Sequence, residues 1–267
     1  MVLNRSKPND EILTIIDSVR ILIKGEYNLK CSTDGEFLLR FIKASNYDVQ
    51  ASYMLIKDYF KAKQDHPDEF KFKQPIFYES VISRLDLGFV LHEKDYKGRP
   101  ILLLRLGDID PSNESWPLLM QAATITLESL SADPENQDSG VNLIFDCTNF
   151  SLKIMRWATP PKLKVIMKFL QDCIPLKFDV FHIVNAPLVF NVFFCALKPF
   201  MKEGFVRKLN WHKAPYKSLH AQINPSLLLP HMGGTLDMNQ VRDWYQVVLS
   251  KEQFFKGKNI SSSTDEK

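Results

Sequence analysis

The sequence predicts an α/β fold in which a helical N-terminal region precedes a mainly parallel β-sheet covered by helices. Residues 1 to about 80 show helical periodicity and no strand-like run. From about Gly88 onward, short apolar runs of strand type alternate with helical segments, which is typical of βαβ units. Of the 267 residues, 45% are apolar and 24% are charged, so the chain can form a sizeable core.

Two segments account for the helical region. Apolar residues recur at helical spacing in "DEILTIIDSVRILIKG" and in "DGEFLLRFIKASNYDVQASYMLIKDYFKAKQDHP". We therefore expect a helical module over residues 1–80, a second domain over 81–255 and a flexible Ser/Lys-rich tail over 256–267.

The second domain contains the predicted strands and further helices. The segment "GFVLHEKDYKGRPILLLRL" predicts two strands about a turn at Asp95 to Gly98. Three more strands are predicted in "VNLIFD" (141–146), "VFHIVN" (180–185) and "VRKLNWH" (206–212). Helices are expected at about 117–131, 161–173, 187–200 and 216–223.

The segment "FHIVNAPLVFNVFFCALKPFM" (181–201) is unusually rich in phenylalanine. It is too often interrupted by polar residues and prolines to cross a bilayer, which needs about 20 nearly unbroken apolar residues. We predict a strand, a cap at Asn185 and a helix between Pro187 and Pro199. That helix is apolar nearly all round, so two of its faces must be buried.

Sequence motifs for catalysis are missing from the chain. There is no GxGxxG, GxxxxGK[ST], GxSxG or HExxH, and the ten glycines are scattered. We interpret the histidines as structural or solvated because they sit singly on different predicted elements; they include His92, His182, His212 and His220. No enzyme activity and no cofactor or metal is therefore predicted.

Two acidic residues have alternative interpretations. A catalytic role is imaginable for Asp146 at the end of its strand, but we favour Asx hydrogen bonds to the following "CTNF". Glu128 could orient a bound polar group, but we favour a buried salt bridge or hydrogen bond, since a lone buried charge is costly.

Charge and cysteine content limit the partners and the compartment. A net charge of +3 argues against a dedicated nucleic-acid binder, so no nucleic-acid partner is predicted. Lysines and arginines flank the 181–201 segment, as solvated helix faces or as a surface for anionic membranes. The four cysteines form no CxxC pair and the start "MVLNRSKPNDEIL" lacks an apolar secretion signal, which favours buried thiols and a cytoplasmic location.

Several motifs in order along the chain resemble the CRAL-TRIO lipid-binding family, and within it the animal branch of α-tocopherol transfer protein, cellular retinaldehyde-binding protein and clavesin. The motifs are "EFLLRFIKASNYDVQASYMLIKDYF", "GVNLIFDCTNF", "IPLKFDVFHIVNAPLVFNVFFCALKPFM" and "LLLPHMGG". The resemblance implies a β-sheet floor beneath an apolar cavity, with a mobile helical gate matching residues 187–200. The inner face of that helix would line the cavity, and its outer face would be free to meet a bilayer.

The resemblance also implies a ligand site. Carried over position by position, the cavity would be lined by Met120, Ala123, Leu127, Val141, Phe145, Ile166, Phe169, Leu170, Ile174, Phe190, Phe193 and Ala196. Ala123 and Leu127 stand where a tocopherol-carrying member has serines, so the site is more apolar here. Thr124, Thr126 and Glu128 are the nearest polar groups on the same predicted helix. Without the resemblance, the same residues would be interpreted as an ordinary filled core.

Membrane contact is the second expectation from the resemblance. Lys177 and Lys208 match basic positions of a phosphoinositide groove, whereas Asp179 and Gly204 replace two of its basic residues. The closing "LPHMGG" also lacks the glutamate of the usual motif. The expected partners are a hydrophobic small molecule and a membrane surface that can contain phosphoinositides, with transient membrane association.

Two function classes follow. The first is a carrier that binds one retinoid, carotenoid, tocopherol-like molecule or other lipid and transfers it between membranes or to a partner. The second is a protein-binding adaptor with the same fold, which a filled cavity without extractable ligand would favour. An isomerase or hydrolase is disfavoured by the missing nucleophile and base motif.

Overall fold

Helices alone build the N-terminal part of the chain. The computed structural model describes residues 9–241 and 243–256, so the predicted tail lies outside the described residues apart from Lys256. The helices are α1 (Asn9–Gly25), α2 (Gly35–Ala44), α3 (Val49–Asp65), α4 (Pro67–Phe70) and, after a 3-10 turn at Pro75–Tyr78, α5 (Glu79–Ile82). The last of these helices ends at Ile82. The domain boundary near residue 80 stays a prediction.

Side-chain caps and a small core explain how the N-terminal helices form. The Asp34 carboxylate accepts hydrogen bonds from the backbone N–H groups of Glu36 and Phe37 at the start of α2. Asp48 accepts from Ala51 N at the start of α3. The apolar faces of α1, α2 and α3 pack into a core of their own that includes Val19, Leu38, Phe41, Ile56 and Tyr59.

A five-stranded sheet follows the helices, with strands in the order β1-β2-β3-β4-β5. The strands are β1 (Gly88–Val90), β2 (Ile101–Arg105), β3 (Val141–Asp146), β4 (Phe178–Val184) and β5 (Leu209–His212). Only the β1–β2 pair is antiparallel; β2 to β5 run parallel. The mainly parallel sheet is thus confirmed.

Helices cover both faces of the sheet. Those after β2 are α6 (Trp116–Ser131), α7 (Pro134–Ser139), α8 (Leu152–Trp157), α9 (Pro160–Asp172), α10 (Leu188–Leu197), α11 (Glu203–Val206), α12 (Lys217–His220), α13 (Trp244–Ser250) and α14 (Glu252–Lys256). One face of the sheet packs with α6, α8, α9, α10 and α13 in the largest core. The other face packs with α12 and the turns over residues 223–236.

Three local predictions differ from the structure. Residues 203–206 are helical, so the last strand begins at Leu209 rather than at 206, and α12 is limited to Lys217–His220. Asn185 does not cap α10, since Pro187 precedes the helix. Asn185 instead has a φ of 55°, donates to Thr148 Oγ1 at 3.1 Å and accepts from the Tyr216 hydroxyl at 2.7 Å.

A buried ion pair joins the N-terminal helices to α6. The Arg40 Nη1 atom of α2 lies 3.0 Å from Glu128 Oε2 and 2.9 Å from Ser131 Oγ. Only 3% of the Arg40 side chain and none of the Glu128 side chain is exposed. The interpretation of Glu128 as half of a buried salt bridge is confirmed.

Replacing Arg40 should strongly destabilise the fold. Arg40→Ala removes the cation that is hydrogen-bonded to the buried Glu128 carboxylate, and such losses cost about 3 to 5 kcal/mol. We expect the free energy of unfolding from urea titration to fall by about 3 kcal/mol. Lys61→Ala, which breaks the exposed Lys61–Asp65 pair, is the control and should change it by less than about 0.5 kcal/mol. Equal effects of the two variants would contradict the role given to Arg40.

Candidate functional site

An apolar cavity of about 300 Å³ lies between the sheet and the helices on its larger-core face. Its floor is made by alternate residues of three neighbouring strands, since strand side chains point to opposite faces in turn. The register places Leu102 beside Leu143, Leu104 beside Phe145 and Phe145 beside Ile183. All five line the cavity.

Helix α10 forms part of the cavity wall through one face. Its cavity-lining residues have the spacing i, i+3, i+4 and i+7 and are Phe190, Phe193, Phe194 and Leu197. Phe150, which follows β3, packs against Phe190 and Phe193 at ring-centroid distances of 5.1 and 4.9 Å. These ring contacts hold α10 against the segment that follows β3.

The opposite face of α10 is open. Leu188 is 85% exposed and Val192 is 62% exposed. Only the cavity face of this helix is buried within the described part of the protein; burial of the outer face, which the resemblance assigns to a bilayer, stays a prediction. The outer face is available to an apolar environment outside the chain.

Hydrogen bonds fix the segments on either side of α10. Before the helix, Asn185 is bonded to Thr148 and Tyr216. After it, the Gln171 side chain of α9 donates to the Phe200 carbonyl at 2.9 Å and accepts from the Lys202 N–H at 2.6 Å. These bonds involve the flanking segments rather than residues 188–197.

Nine of the twelve predicted ligand residues line the cavity; they are Met120, Ala123, Leu127, Phe145, Ile166, Phe169, Leu170, Phe190 and Phe193. Their contact with a ligand stays a prediction. Three lie elsewhere. Val141 is buried at the amino end of β3, and Ile174 lies past the end of α9 in a separate polar groove. Ala196 is exposed, because the helical period places it on the same side of α10 as Val192.

Few polar groups reach the cavity. Thr124 and Thr126 line it, and the Thr124 hydroxyl donates to the Met120 carbonyl at 2.8 Å. Glu128 is held by Arg40 and does not belong to the lining.

The tryptophans in the lining, Trp116, Trp157 and Trp244, were missed by sequence reasoning. The Nε1 atoms of Trp116 and Trp244 are buried and have no hydrogen-bond partner among the described residues. The sequence does not distinguish these tryptophans from ordinary core tryptophans, so sequence reasoning could not have identified them as cavity residues.

Lys177 and Lys208 lie together in a polar groove beside the amino end of β4. Burial lowers the pKa of both ammonium groups below its ordinary value. Lys208 Nζ donates to the Phe178 carbonyl at 2.7 Å. Asp179, which also lines the groove, forms an ion pair with Arg99. The two lysines therefore share a groove whose positive charge is partly neutralised.

His182 and His212, which the sequence predicts to sit singly, form a pair on the other face of the sheet. His182 Nδ1 and His212 Nε2 are 2.9 Å apart, and His212 Nδ1 lies 2.8 Å from Ser218 Oγ. The prediction that these two sit singly is wrong, because parallel pairing of β4 with β5 brings them together. Burial lowers the pKa of His182 to about 3, which favours the neutral ring.

Asp146 has the predicted turn role and an additional partner. Its Oδ1 atom accepts from Thr148 N at 3.0 Å and from Thr148 Oγ1 at 2.7 Å, which confirms the Asx turn. Its Oδ2 atom lies 2.7 Å from His231 Nε2. Because His231 belongs to the "LPHMGG" motif, this contact attaches the closing motif to the carboxyl end of β3.

The cysteines are free thiols, as expected, but they are not all buried. Cys147 and Cys173 are buried, Cys31 is half-buried and Cys195 is exposed on α10. Across residues 9–241 and 243–256, no cluster of His, Cys, Asp and Glu side chains is suited to a metal ion. Within the same ranges, no helix has both the length and the hydropathy needed to span a bilayer.

Comparison with known proteins agrees with this architecture. The profile of the CRAL/TRIO domain matches residues 86–234, which contain the sheet and most of the cavity wall. The chain belongs to the CRAL/TRIO family. The resemblance seen in the sequence motifs is thereby confirmed, together with the fold class.

Relatives and one solved structure extend the comparison. Clavesin-1 of Rattus norvegicus is 35% identical over 225 residues, which are 82% of this chain and 62% of that protein. Alpha-tocopherol transfer protein-like of Homo sapiens is 30% identical over 243 residues, 90% of this chain and 70% of that protein. The crystal structure of Sfh5 matches with a TM-score of 0.53 at 12% identity, covering 94% of this chain and 99% of that chain. The Sfh5 match concerns the fold alone.

Proposed function

We propose that this chain binds one hydrophobic small molecule in the apolar cavity and transfers it between membranes or to a partner. The cavity itself supports this most directly, since its lining has no charged side chain. Small-molecule sites of this kind have volumes of about 300 to 1,000 Å³ and a mainly apolar lining. The names of the relatives, which include a tocopherol transfer protein-like member, agree with such a role.

Apolar burial alone supplies enough free energy for this function. Transfer out of water contributes about 25 cal/mol per Å², so covering about 300 Å² of ligand contributes roughly 7.5 kcal/mol. No covalent step is needed. The proposal is therefore a carrier that works in the cytoplasm with transient membrane association, rather than an enzyme.

The cavity volume limits the ligand. The volume of about 300 Å³ lies at the lower end of the range for small-molecule sites. A volume in this part of the range favours a single-chain or compact-ring lipid, such as a retinoid, as the ligand. Ala123 and Leu127 leave the wall without hydroxyls at these positions, which disfavours tocopherol as the ligand.

Helix α10 is proposed as the gate. Its outer face exposes Leu188 and Val192, which is unfavourable in water and favourable in a bilayer. Contact with a membrane would thus compensate for the separation of Phe190 and Phe193 from Phe150. The lysines Lys177 and Lys208 are proposed to add attraction to phosphoinositide head groups through their shared groove.

Filling the cavity should prevent ligand uptake. Ala123→Phe adds a ring to the cavity wall, whereas Ala196→Phe adds the same ring on the exposed side of α10. We expect wild type and Ala196→Phe to bind retinol at about 1:1 stoichiometry by fluorescence titration, and Ala123→Phe to bind at least tenfold more weakly. Unchanged retinol affinity in a folded Ala123→Phe variant would show that retinol does not bind in this cavity. Absence of binding and of any extractable lipid in wild type would favour the adaptor function.

Polar residues on the outer face of α10 should slow transfer without emptying the cavity. We expect the double variant Leu188→Asp and Val192→Asp to move retinol between vesicles at least tenfold more slowly, with unchanged binding in solution, because charged side chains oppose entry into the bilayer. Ile21→Asp changes a residue of α1 that is 70% exposed and serves as the control. Transfer by the double variant at the rate of the control would show that α10 is a static wall.

Removing the groove lysines should weaken recognition of phosphoinositides. Binding to vesicles that contain a phosphoinositide should exceed binding to neutral vesicles and fall with salt, since exposed charges are screened over about 8 Å at physiological ionic strength. The Lys177→Ala and Lys208→Ala double variant should lose this difference in sedimentation assays. The exposed pair Lys24→Ala and Lys30→Ala keeps the same net charge as that variant and should retain it. Equal wild-type binding to both vesicle types would refute the head-group site.

A further inference from the structure

Two cavity-lining tryptophans pack against a lysine that is not itself a lining residue. Trp116 begins α6 and Trp157 ends α8, and their ring centroids are 5.2 Å apart in an edge-to-face arrangement. Lys162 Nζ lies 4.8 Å from the Trp116 centroid and 4.6 Å from that of Trp157. The ammonium also donates to the Trp157 carbonyl at 3.0 Å.

The Lys162 ammonium has no anionic partner in this cluster. Among the described residues, no carboxylate lies close enough to Lys162 Nζ to form an ion pair. The Glu69 carboxylate acts on this ammonium only from a greater distance. Burial lowers the pKa of Lys162 below its ordinary value. Lys162 also lies in the first turn of α9, where the helix dipole is positive and disfavours a cation. An anion beside Lys162 would be favoured by both its charge and the helix end.

The Trp116 indole supplies a second unsatisfied group. Its Nε1–H donor is buried and has no partner among the described residues. A buried donor without an acceptor is costly to fold, so an acceptor brought by a ligand would recover that cost. The Trp116 ring lines the cavity and also packs against Lys162, so a ligand group at the cavity edge beside this ring would be near both donors.

We infer that the cavity takes a single-chain lipid carboxylate, such as a fatty acid, whose carboxylate accepts from Trp116 Nε1–H and pairs with Lys162. This inference rests on the proposed function and specifies its ligand class. A carboxylate has two acceptor oxygens for the two donors, and its charge-assisted hydrogen bonds are about twice as strong as neutral ones. An ester of the same chain keeps acceptor oxygens and loses the charge. Only the carboxylate therefore gives the Lys162 ammonium an anionic partner.

Competition between palmitate and methyl palmitate tests the carboxylate separately from apolar binding. Each lipid displaces bound retinol at neutral pH, and the ratio of the two affinities is the quantity measured. Wild type should prefer palmitate by at least tenfold, or about 1.4 kcal/mol. Lys162→Met keeps an apolar stem over the rings and should reduce the ratio to near one, with methyl palmitate affinity changed less than twofold. Trp116→Phe should weaken palmitate several-fold.

Lys164→Gln is the matched control, because Lys164 is an exposed residue of the same helix, and it should keep the wild-type ratio. Thermal denaturation of each variant verifies that it is folded. A wild-type ratio near one, or an unchanged ratio in Lys162→Met, would overturn the carboxylate site while retinol binding still supports the carrier. If retinol and both lipids fail to bind wild type, the carrier function itself fails.

Discussion

The buried contact between Arg40 and Glu128 is the constraint on which the cavity depends, because it fixes α6 from the side opposite the cavity. Helix α6 presents Glu128 to the N-terminal helices and Met120, Ala123 and Leu127 to the cavity. A charged group on one face would be costly to bury unless its partner were already in place. The N-terminal helices supply that partner, so they act as structural support for the cavity wall and are more than an appended module. Lys43 of α2 adds a second link through its ion pair with Asp138 of α7, the helix that follows α6.

The cavity itself is the result of incomplete packing between well-packed elements. Sheet residues such as Leu143 and Ile183 are almost fully buried, and aromatic contacts bring Phe150 and α10 together. Protein interiors are normally packed to the density of organic crystals, so an apolar space of about 300 Å³ forfeits contacts that a smaller cavity would keep. A ligand that fills the space would restore those contacts. The proposed function thus explains a feature that would otherwise only reduce stability.

Much of the fold could be predicted from the sequence, because its signals are local. The run "VNLIFD" is β3 over residues 141–146, and the helical spacing of Phe190, Phe193, Phe194 and Leu197 gives the cavity face of α10. The errors concern relations that depend on the tertiary arrangement. The His182–His212 contact needs the β4–β5 register, and the predicted cap at Asn185 is wrong because its partners Thr148 and Tyr216 are remote in sequence. Trp116 and Lys162 likewise meet only after α6, α8 and α9 have packed.

The hydrogen bonds on both sides of α10 restrict how such a helix can open. Asn185 anchors the chain before it, and Gln171 anchors the chain after it at Phe200 and Lys202. With two pivots in place, swinging out at either end would break side-chain bonds, whereas rolling about the long axis would not. A roll that turns Val192 inward would carry Phe194 outward, since the two lie on roughly opposite sides of the helix, and would exchange a large side chain for a small one. The aperture would then appear along the flank of the helix, and a ligand would pass beside α10 lengthwise.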